Sequence, residues 1–557
     1  MSDQEEQQNN SSIDVGTQTP KESNRKAIAR SANLMSVCVM ISRITGFART
    51  WAMAFALGAT FLSSSYQVAN NLPNQLYELV MGGMLVTAFL PVYVSVKRKL
   101  GKEAGDEYAS NLLTLVIIIL GVVSLLGILF PQAIVYTQSF YTDQSEMTVA
   151  IMLFQFFAIQ TVFYGASSII SGLLNANREY FWSSIAPVFN NLVVIATFIL
   201  YAVIAPFNSQ VALYIIAIGN PLGVFLQMAI QLPALKRNSI RLRLRINLKD
   251  PALKDTFKIG APTILIVIFS FITVSVMNAA SYCFADNGPS VIAYARLWYT
   301  LPYSFLAIPL TTALFTELSE LRADNNIKGV VQTIEDGTSQ ILFILSPFML
   351  YLIVFAQPLV TLYHTGAFTT ENIQQIALFL SALALALPFY GMSAYMQKVF
   401  SSLRKMGFFA IANTIASVIQ VVLTMAAAAA AQSGLPISLE SIAIASAIYY
   451  IVVDLIAALY LKHLFSDLSL AHLGKSLAMG LMLGGLGAVV GGLIMFGLTI
   501  IFSPLDGSIP QALIYIVIGG LSSLVATFGL ALKFKMPEAA MARSFVEAFS
   551  QKIMRRH

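Results

Sequence analysis

The sequence predicts an all-α polytopic membrane protein of about fourteen transmembrane helices. They form two six-helix lobes related by a parallel pseudo-two-fold, with two extra helices at the C-terminal end. Three observations predict this. The 557-residue chain is 57% hydrophobic and only 11% charged, with a mean hydropathy of +0.74, whereas soluble domains carry about 25% charged residues. Apolar runs long enough to cross a bilayer recur from residue 33 to residue 533. Basic residues avoid every second connection between those runs.

The elements follow in order. Residues 1–30 are polar, rich in Gln, Asn, Ser and Glu, and read as a disordered cytoplasmic tail. Spans one to six, about 33–58, 62–96, 109–136, 148–175, 182–205 and 210–235, make an N-lobe over residues 31–240. A basic cytoplasmic linker occupies 241–255. Spans seven to twelve, about 256–284, 290–320, 334–362, 373–400, 407–430 and 441–461, make a C-lobe over 256–465. Spans thirteen and fourteen, about 474–502 and 510–532, lie within 466–535, and a cytoplasmic C-terminal tail covers 536–557.

Charge placement fixes the expected orientation. With the N-terminus inside, thirty of the 33 basic residues fall in inside segments and none in the seven outside loops. A miscounted span would invert every later loop, so the pattern predicts a multi-pass membrane protein with both termini cytoplasmic. The net charge of +6 is then directed at an anionic inner leaflet, not at nucleic acid.

A duplication underlies the lobes. Leu72-Pro73, Leu85 and Thr87 match Leu301-Pro302, Leu314 and Thr316, while Arg178, Ile185 and Ala186 match Arg404, Ile411 and Ala412. The two sets of matches have nearly the same offset along the chain. Six spans per copy is an even number, so both copies share one orientation, as in transporters built from parallel repeats with substrate at the interface of the halves.

The three basic residues outside this pattern are Arg43, Arg49 and Arg296, which lie within spans one and eight. A mid-bilayer charge costs about 2.5–3.5 kcal/mol on insertion scales unless water or a partner offsets it. Arg43 and Arg49 are six residues apart, hence about 120° apart around a helix and separated by about 9 Å along it. A wide aqueous cavity suits both better than one narrow contact. Guanidinium forks bind phosphate oxygens bidentately, so the ligand class these arginines imply is an anionic, phosphate-bearing molecule. A purely structural alternative pairs them with Glu78, Glu317 or Asp454. Those three acids are also the candidates for coupling or gating, with Glu317 and Glu320 near the cytoplasmic end of span eight.

Other features read more plainly. Cys38 and Cys283 are small hydrophobes in apolar runs, and the four histidines lack ligand spacing, so no metal, cofactor or catalytic residue is assigned. Span thirteen carries Gly480/Gly484 and Gly487/Gly491 at the spacing of close helix packing, with a shallow lipid groove as the sharper alternative. The linker "RLRLRIN" alternates arginine with apolar residues, as an orientation signal, a lipid contact or a brace between lobes. No nucleophile–base pair or phosphate loop is present, which disfavours an enzyme.

"SRITGFART", then "ANNLPNQLYELVMGGMLVTAFLPVYV" and "YARLWYTLPYSFLAIPLTTALFTELS", resemble the MurJ (MviN) family of lipid II flippases. That family belongs to the multidrug/oligosaccharidyl-lipid/polysaccharide exporter superfamily. The resemblance spans residues 30–535 and implies transport, by alternating access between two lobes, of undecaprenyl-diphosphate-linked peptidoglycan precursor to the outer leaflet. It implies that Arg43, Arg49 and Arg296 engage the diphosphate, and that the last two spans hold the polyprenyl chain. It also implies a role in cell wall biogenesis and cell shape, alongside wall-synthesis proteins, with membrane-potential or ion coupling. Arg296 stands one place early in an ungapped match. Thr50 stands where members often carry an acid, and Tyr77-Glu78 replaces an arginine pair, as in an actinobacterial variant of the pattern. A flippase for another polyprenyl-linked oligosaccharide and a non-transporting scaffold of wall synthesis are the alternatives.

Overall fold

The computed structural model describes residues 20–82, 89–502, 504–536, 538 and 543. Among them every regular element is helical and no strand occurs. The first helix, Pro20–Leu57, begins inside the expected tail. Proline suits a first helical turn, and "KESNRKAIAR" is dominated by Lys, Arg, Glu and Ala, which propagate a helix. The tail expectation is corrected there. Residues 1–19, Leu85, Thr87 and nearly all of 537–557 lie outside the described residues.

The duplication reappears in the helix breaks. Lys102–Leu129 and Ile327–Val354 are both 28 residues long and start at equivalent points of the two copies. Each is followed by a six-residue helix, Pro131–Tyr136 or Ala356–Thr361, at the same offset. Wide π-helical turns interrupt span two at Glu78–Gly82 and span eight at Tyr303–Ala307, and these too keep that offset. Such turns occur where a helix cannot keep its ladder, and Pro302 supplies the cause in span eight by removing one donor. Arg178 (φ 62°) and Arg404 (φ 57°), one of the pairs matched in sequence, adopt the same left-handed turn.

Packing repeats as well. The first helix lies along Tyr180–Ile204, and Pro251–Ser281 lies along Met406–Gln432 in the second lobe. The last two helices, Leu470–Phe502 and Ile509–Lys533, break the symmetry, because they pack on the second lobe through Ile327–Val354. Glycine permits the approach. A Cβ on Gly480 would stand 2.9 Å from the Phe343 carbonyl oxygen, and one on Gly484 would stand 2.6 Å from Pro347 Cα. Gly487 and Gly491 face Ser523 and Thr527 of the last helix in the same way. The Tyr351 hydroxyl lies 2.6 Å from Thr527 Oγ1 and binds this corner.

Eleven helices among the described residues are long and apolar enough to cross a membrane, or twelve if the pair Thr370–Ala384 and Leu387–Ser402, bent by 51°, counts as one. The helix carrying Arg43 and Arg49 is not among the eleven, and span two is split between helices and residues outside the described set. The fourteen-span reading and the apolar count therefore differ at span one, where two arginines dilute the apolar run, and at span two, part of which lies outside the described residues. Those spans form the wall of the central cavity.

Candidate binding cavity

A cavity of about 990 Å³ lies between the lobes. Arg43, Arg49, Asn71, Asn74, Gln75 and Glu78 line it from spans one and two, and Arg296, Leu297 and Thr300 from span eight. The structure thus brings together four of the six acidic and basic residues singled out from sequence. Arg43, Arg296 and Glu78 are exposed within it, and Arg49 is half-buried.

Aromatic packing sets the two arginine-bearing helices against each other. Phe47, between the two span-one arginines, meets Trp298 edge-on with ring centroids 5.3 Å apart. It also stacks on Tyr363 at 5.9 Å. Arg296 is two residues from Trp298, so this contact joins the helices that carry the charges. Asn191 donates to Thr45 Oγ1 (3.0 Å) and to the Ser42 carbonyl (3.3 Å), holding the opposite face of span one to span five.

Among the described residues no acid forms a salt bridge with these arginines. Arg49 Nη2 donates to the Tyr66 hydroxyl (3.3 Å), which donates onward to Asn220 Oδ1 (2.8 Å). Glu78 accepts from Asn74 Nδ2 at 3.1 Å. Arg245–Glu107 is the single salt bridge among the described residues, and it lies in the linker, away from the cavity. The structural alternative, in which Glu78, Glu317 or Asp454 pairs with an intramembrane arginine, is therefore corrected. With three guanidinium groups and one carboxylate the cavity is formally +2.

The other two acids lie elsewhere. Glu317 is exposed on Ile308–Ala323 and lines neither cavity. Asp454 is 3% exposed; it accepts from Ser393 Oγ at 2.6 Å, and its second oxygen has no hydrogen-bond partner. Ser393 belongs to a second cavity, of about 350 Å³, inside the C-lobe. Tyrosines 299, 303, 390, 449 and 450 line it with Asn413 and Gln420, and Arg296 lines both cavities. Sequence reading missed this pocket. Its signal was available: Asn413, Ser417 and Gln420 follow helical spacing, as do Ser446, Tyr450 and Asp454.

The lobes meet at the end expected to face outside. The Ala367 amide donates to the Phe55 carbonyl (3.0 Å), and the Tyr294 hydroxyl to the Gly58 carbonyl (2.9 Å). Asn287 and Asn372 both donate to the Ala59 carbonyl, at 2.9 and 3.2 Å. Gly58 (φ 61°) and Gly366 (φ 55°) make the turns that touch. A Cβ would lie 2.3 Å from the Ala367 oxygen at Gly58 and 2.2 Å from the Phe55 oxygen at Gly366, so glycine is required at both. At the opposite end the cavity runs down to Asn175 and Ser183, beside the turn of Arg178.

A family model described as lipid II flippase MurJ matches residues 53–507. The chain belongs to that family. Its members are transporters, not catalytic enzymes, and this chain is a multi-pass membrane protein. The matched interval contains Arg296 and begins just after Arg43 and Arg49. A lipid II flippase MurJ from Burkholderia cenocepacia is 25% identical over 365 residues, covering 64% of this chain and 70% of the relative. A probable lipid II flippase MurJ from Rickettsia prowazekii is 23% identical over 379 residues, covering 67% and 72%. The fold is shared with a solved lipid II flippase MurJ in an inward closed conformation, at TM-score 0.71 and 21% identity over 90% of this chain and 99% of that one. It is also shared with an inward-facing multidrug resistance MATE family transporter, at TM-score 0.65 and 14% identity over 78% and 98%.

Proposed function

We propose that the chain is a lipid II flippase, moving undecaprenyl-diphosphate-linked peptidoglycan precursor from the inner to the outer leaflet by alternating access. One observation carries this reading: three arginines drawn from both lobes line one cavity without an acidic partner. Charges in a membrane interior that are not paired by protein are expected to meet a charged ligand. Arg43, Arg49 and Arg296 hold the diphosphate, each guanidinium offering two parallel N–H donors to phosphate oxygens. Because the donors come from spans one and eight, the same contacts tie the lobes to the ligand. The cavity is at the large end for a ligand site, which suits a bulky polar headgroup whose lipid tail stays in the bilayer.

Charge balance gives a cycle. A diphosphate diester carries two negative charges and cancels the +2 of the arginines and Glu78. The loaded cavity then crosses the field nearly neutral, and the empty one is cationic. An inside-negative potential draws the empty cavity back toward the cytoplasmic side, by about 2.3 kcal/mol per charge per 100 mV fully traversed. The outer contacts at Gly58 and Gly366 close the far end meanwhile. Asp454, buried beside the C-lobe pocket, is the candidate for ion coupling, and Glu317 and Glu78 for gating. The distribution of basic residues supports a cytoplasmic position for both termini.

The test is complementation of cells depleted of their own lipid II flippase, comparing the intact chain with Arg43→Ala and Arg49→Ala at matched membrane levels. Rescue by the intact chain, lost in both variants, is expected. Failure of the well-inserted intact chain would move the substrate to another polyprenyl-linked oligosaccharide. Full rescue by both variants would remove the arginines from transport.

A further inference from the structure

The basic linker between the lobes is an ordered ladder against span three. Residues 240–247 run extended beside Lys102–Leu129. The amides of Arg241, Arg243 and Arg245 donate to Asp106 Oδ2 (3.3 Å), Ser110 Oγ (3.1 Å) and Thr114 Oγ1 (3.2 Å). Alternate residues of an extended chain are about 6.6 Å apart, and residues four apart on a helix about 6 Å, so the two repeats stay in step. Asn247 ends the ladder, exchanging amide hydrogen bonds of 2.7 and 2.8 Å with the Asn111 side chain. Asp250 then caps Pro251–Ser281 through the Ala252 amide.

This ladder sets the depth of the linker. Span three becomes apolar from Leu112, in "LLTLVIIIL", where Thr114 is the last polar side chain before the continuous run from Leu115. The segment climbs about 12 Å along the helix between Asp106 and Thr114, so its upper end reaches the level where the hydrocarbon begins. Along this stretch it turns large apolar side chains outward. Leu244 is 89% exposed, Ile246 63% and Leu248 68%. Arg241 and Arg243 stand exposed before them and Arg245 among them, the last paired with Glu107 (2.7 Å). Lys249 and Lys254 continue the basic surface.

We infer that residues 241–248 form an interfacial anchor for anionic phospholipid of the inner leaflet, with Arg241 and Arg243 on headgroup phosphates and Leu244, Ile246 and Leu248 in the upper acyl region. Basic and apolar side chains alternating along a segment that runs from the helix end to the edge of the hydrocarbon fit a surface that is anionic on one side and apolar on the other. A cytoplasmic protein partner would explain the charge but not the depth. The anchor holds the linker to the N-lobe, so the C-lobe moves from Asp250 onward. None of this depends on which lipid the cavity transports.

The experiment uses the full chain with Cys38→Ser, Cys283→Ser and Leu244→Cys, carrying a fluorophore at position 244. It is placed in nanodiscs of phosphatidylcholine alone or with phosphatidylglycerol. With phosphatidylglycerol the fluorophore should be shielded from aqueous iodide and quenched by a nitroxide at the top of the acyl chain. Adding R241Q and R243Q should weaken this association by about 30-fold at low salt, about fivefold for each basic residue. The same label at Ser438, in an outer loop, is the exposed reference and reports that the variants are folded and inserted. Iodide access at position 244 in both lipid compositions would overturn the anchor and leave the surface to a protein partner. Shielding that ignores both phosphatidylglycerol and the arginine substitutions would overturn the anionic-lipid assignment.

Discussion

The two lobes share a scaffold and differ in what they do with polar groups. In the N-lobe, Arg43, Arg49 and Glu78 stand in the wall of the central cavity, with Tyr66 and Asn220 bracing one guanidinium from behind. In the C-lobe, one arginine, Arg296, reaches the same cavity, and behind it lies a tyrosine-lined pocket backed by buried Asp454. Helix starts, π-helical turns and left-handed arginines repeat from one lobe to the other in register. The charges do not. Duplication therefore supplies the frame, and the side chains that break the symmetry supply the chemistry.

The sharpest way to break this comparison is to remove the charges from one lobe. Arg49→Ala and Arg43→Ala should each lower lipid flux in proteoliposomes by roughly 10- to 150-fold, the loss of a charge-assisted contact of about 1.5–3 kcal/mol. Arg296→Ala should fall in the same range. A variant with normal flux would show that the lobe carrying that arginine contributes only frame.

The next effect concerns the outer contact. Gly58→Ala and Gly366→Ala each force a left-handed conformation costing about 1–2 kcal/mol, besides the clash with a facing carbonyl. The sealed population should drop at least about fivefold relative to the open one. Spin labels at Phe207→Cys and Leu435→Cys, in outer loops of different lobes, would report this as a longer distance population. An unchanged distribution would show that these turns do not govern closure.

Asp454→Asn separates the C-lobe's role from the cavity's. It keeps the shape and the Ser393 contact, so ligand affinity should hold while flux under an imposed ion gradient falls to its gradient-free level. Retained gradient dependence would make Asp454 a structural carboxylate. The smallest change expected is from Tyr66→Phe, which removes one brace of Arg49. A loss of about 1 kcal/mol, or about fivefold in ligand affinity by direct binding, is the scale of one hydrogen bond. A loss as large as that of Arg49→Ala would make the phenol a direct ligand contact.

Much of this was legible before any coordinates. The apolar runs and the match of Arg178 with Arg404 anticipate the architecture, because the bilayer imposes length rules that act locally along the chain. Arg43, Arg49 and Arg296 were legible as site candidates for the same reason, since a charge in an apolar run is conspicuous. The tyrosine pocket was not, because tyrosine in an apolar helix looks like ordinary packing until five of them converge. The linker was read as a basic run, and its depth was hidden.

The sequence by itself determined the class, the number of crossings expected and the residues whose charge needs an explanation. Those follow from transfer free energies that each residue carries with it. Only the tertiary structure decided that Glu78 shares the arginines' cavity while Glu317 and Asp454 do not, and that among the described residues no acid pairs with them. It also decided that Gly58 meets Ala367 across the lobes, and that the linker amides climb Asp106, Ser110 and Thr114. These are relations between residues far apart along the chain, set by how whole helices pack, and no local pattern encodes them.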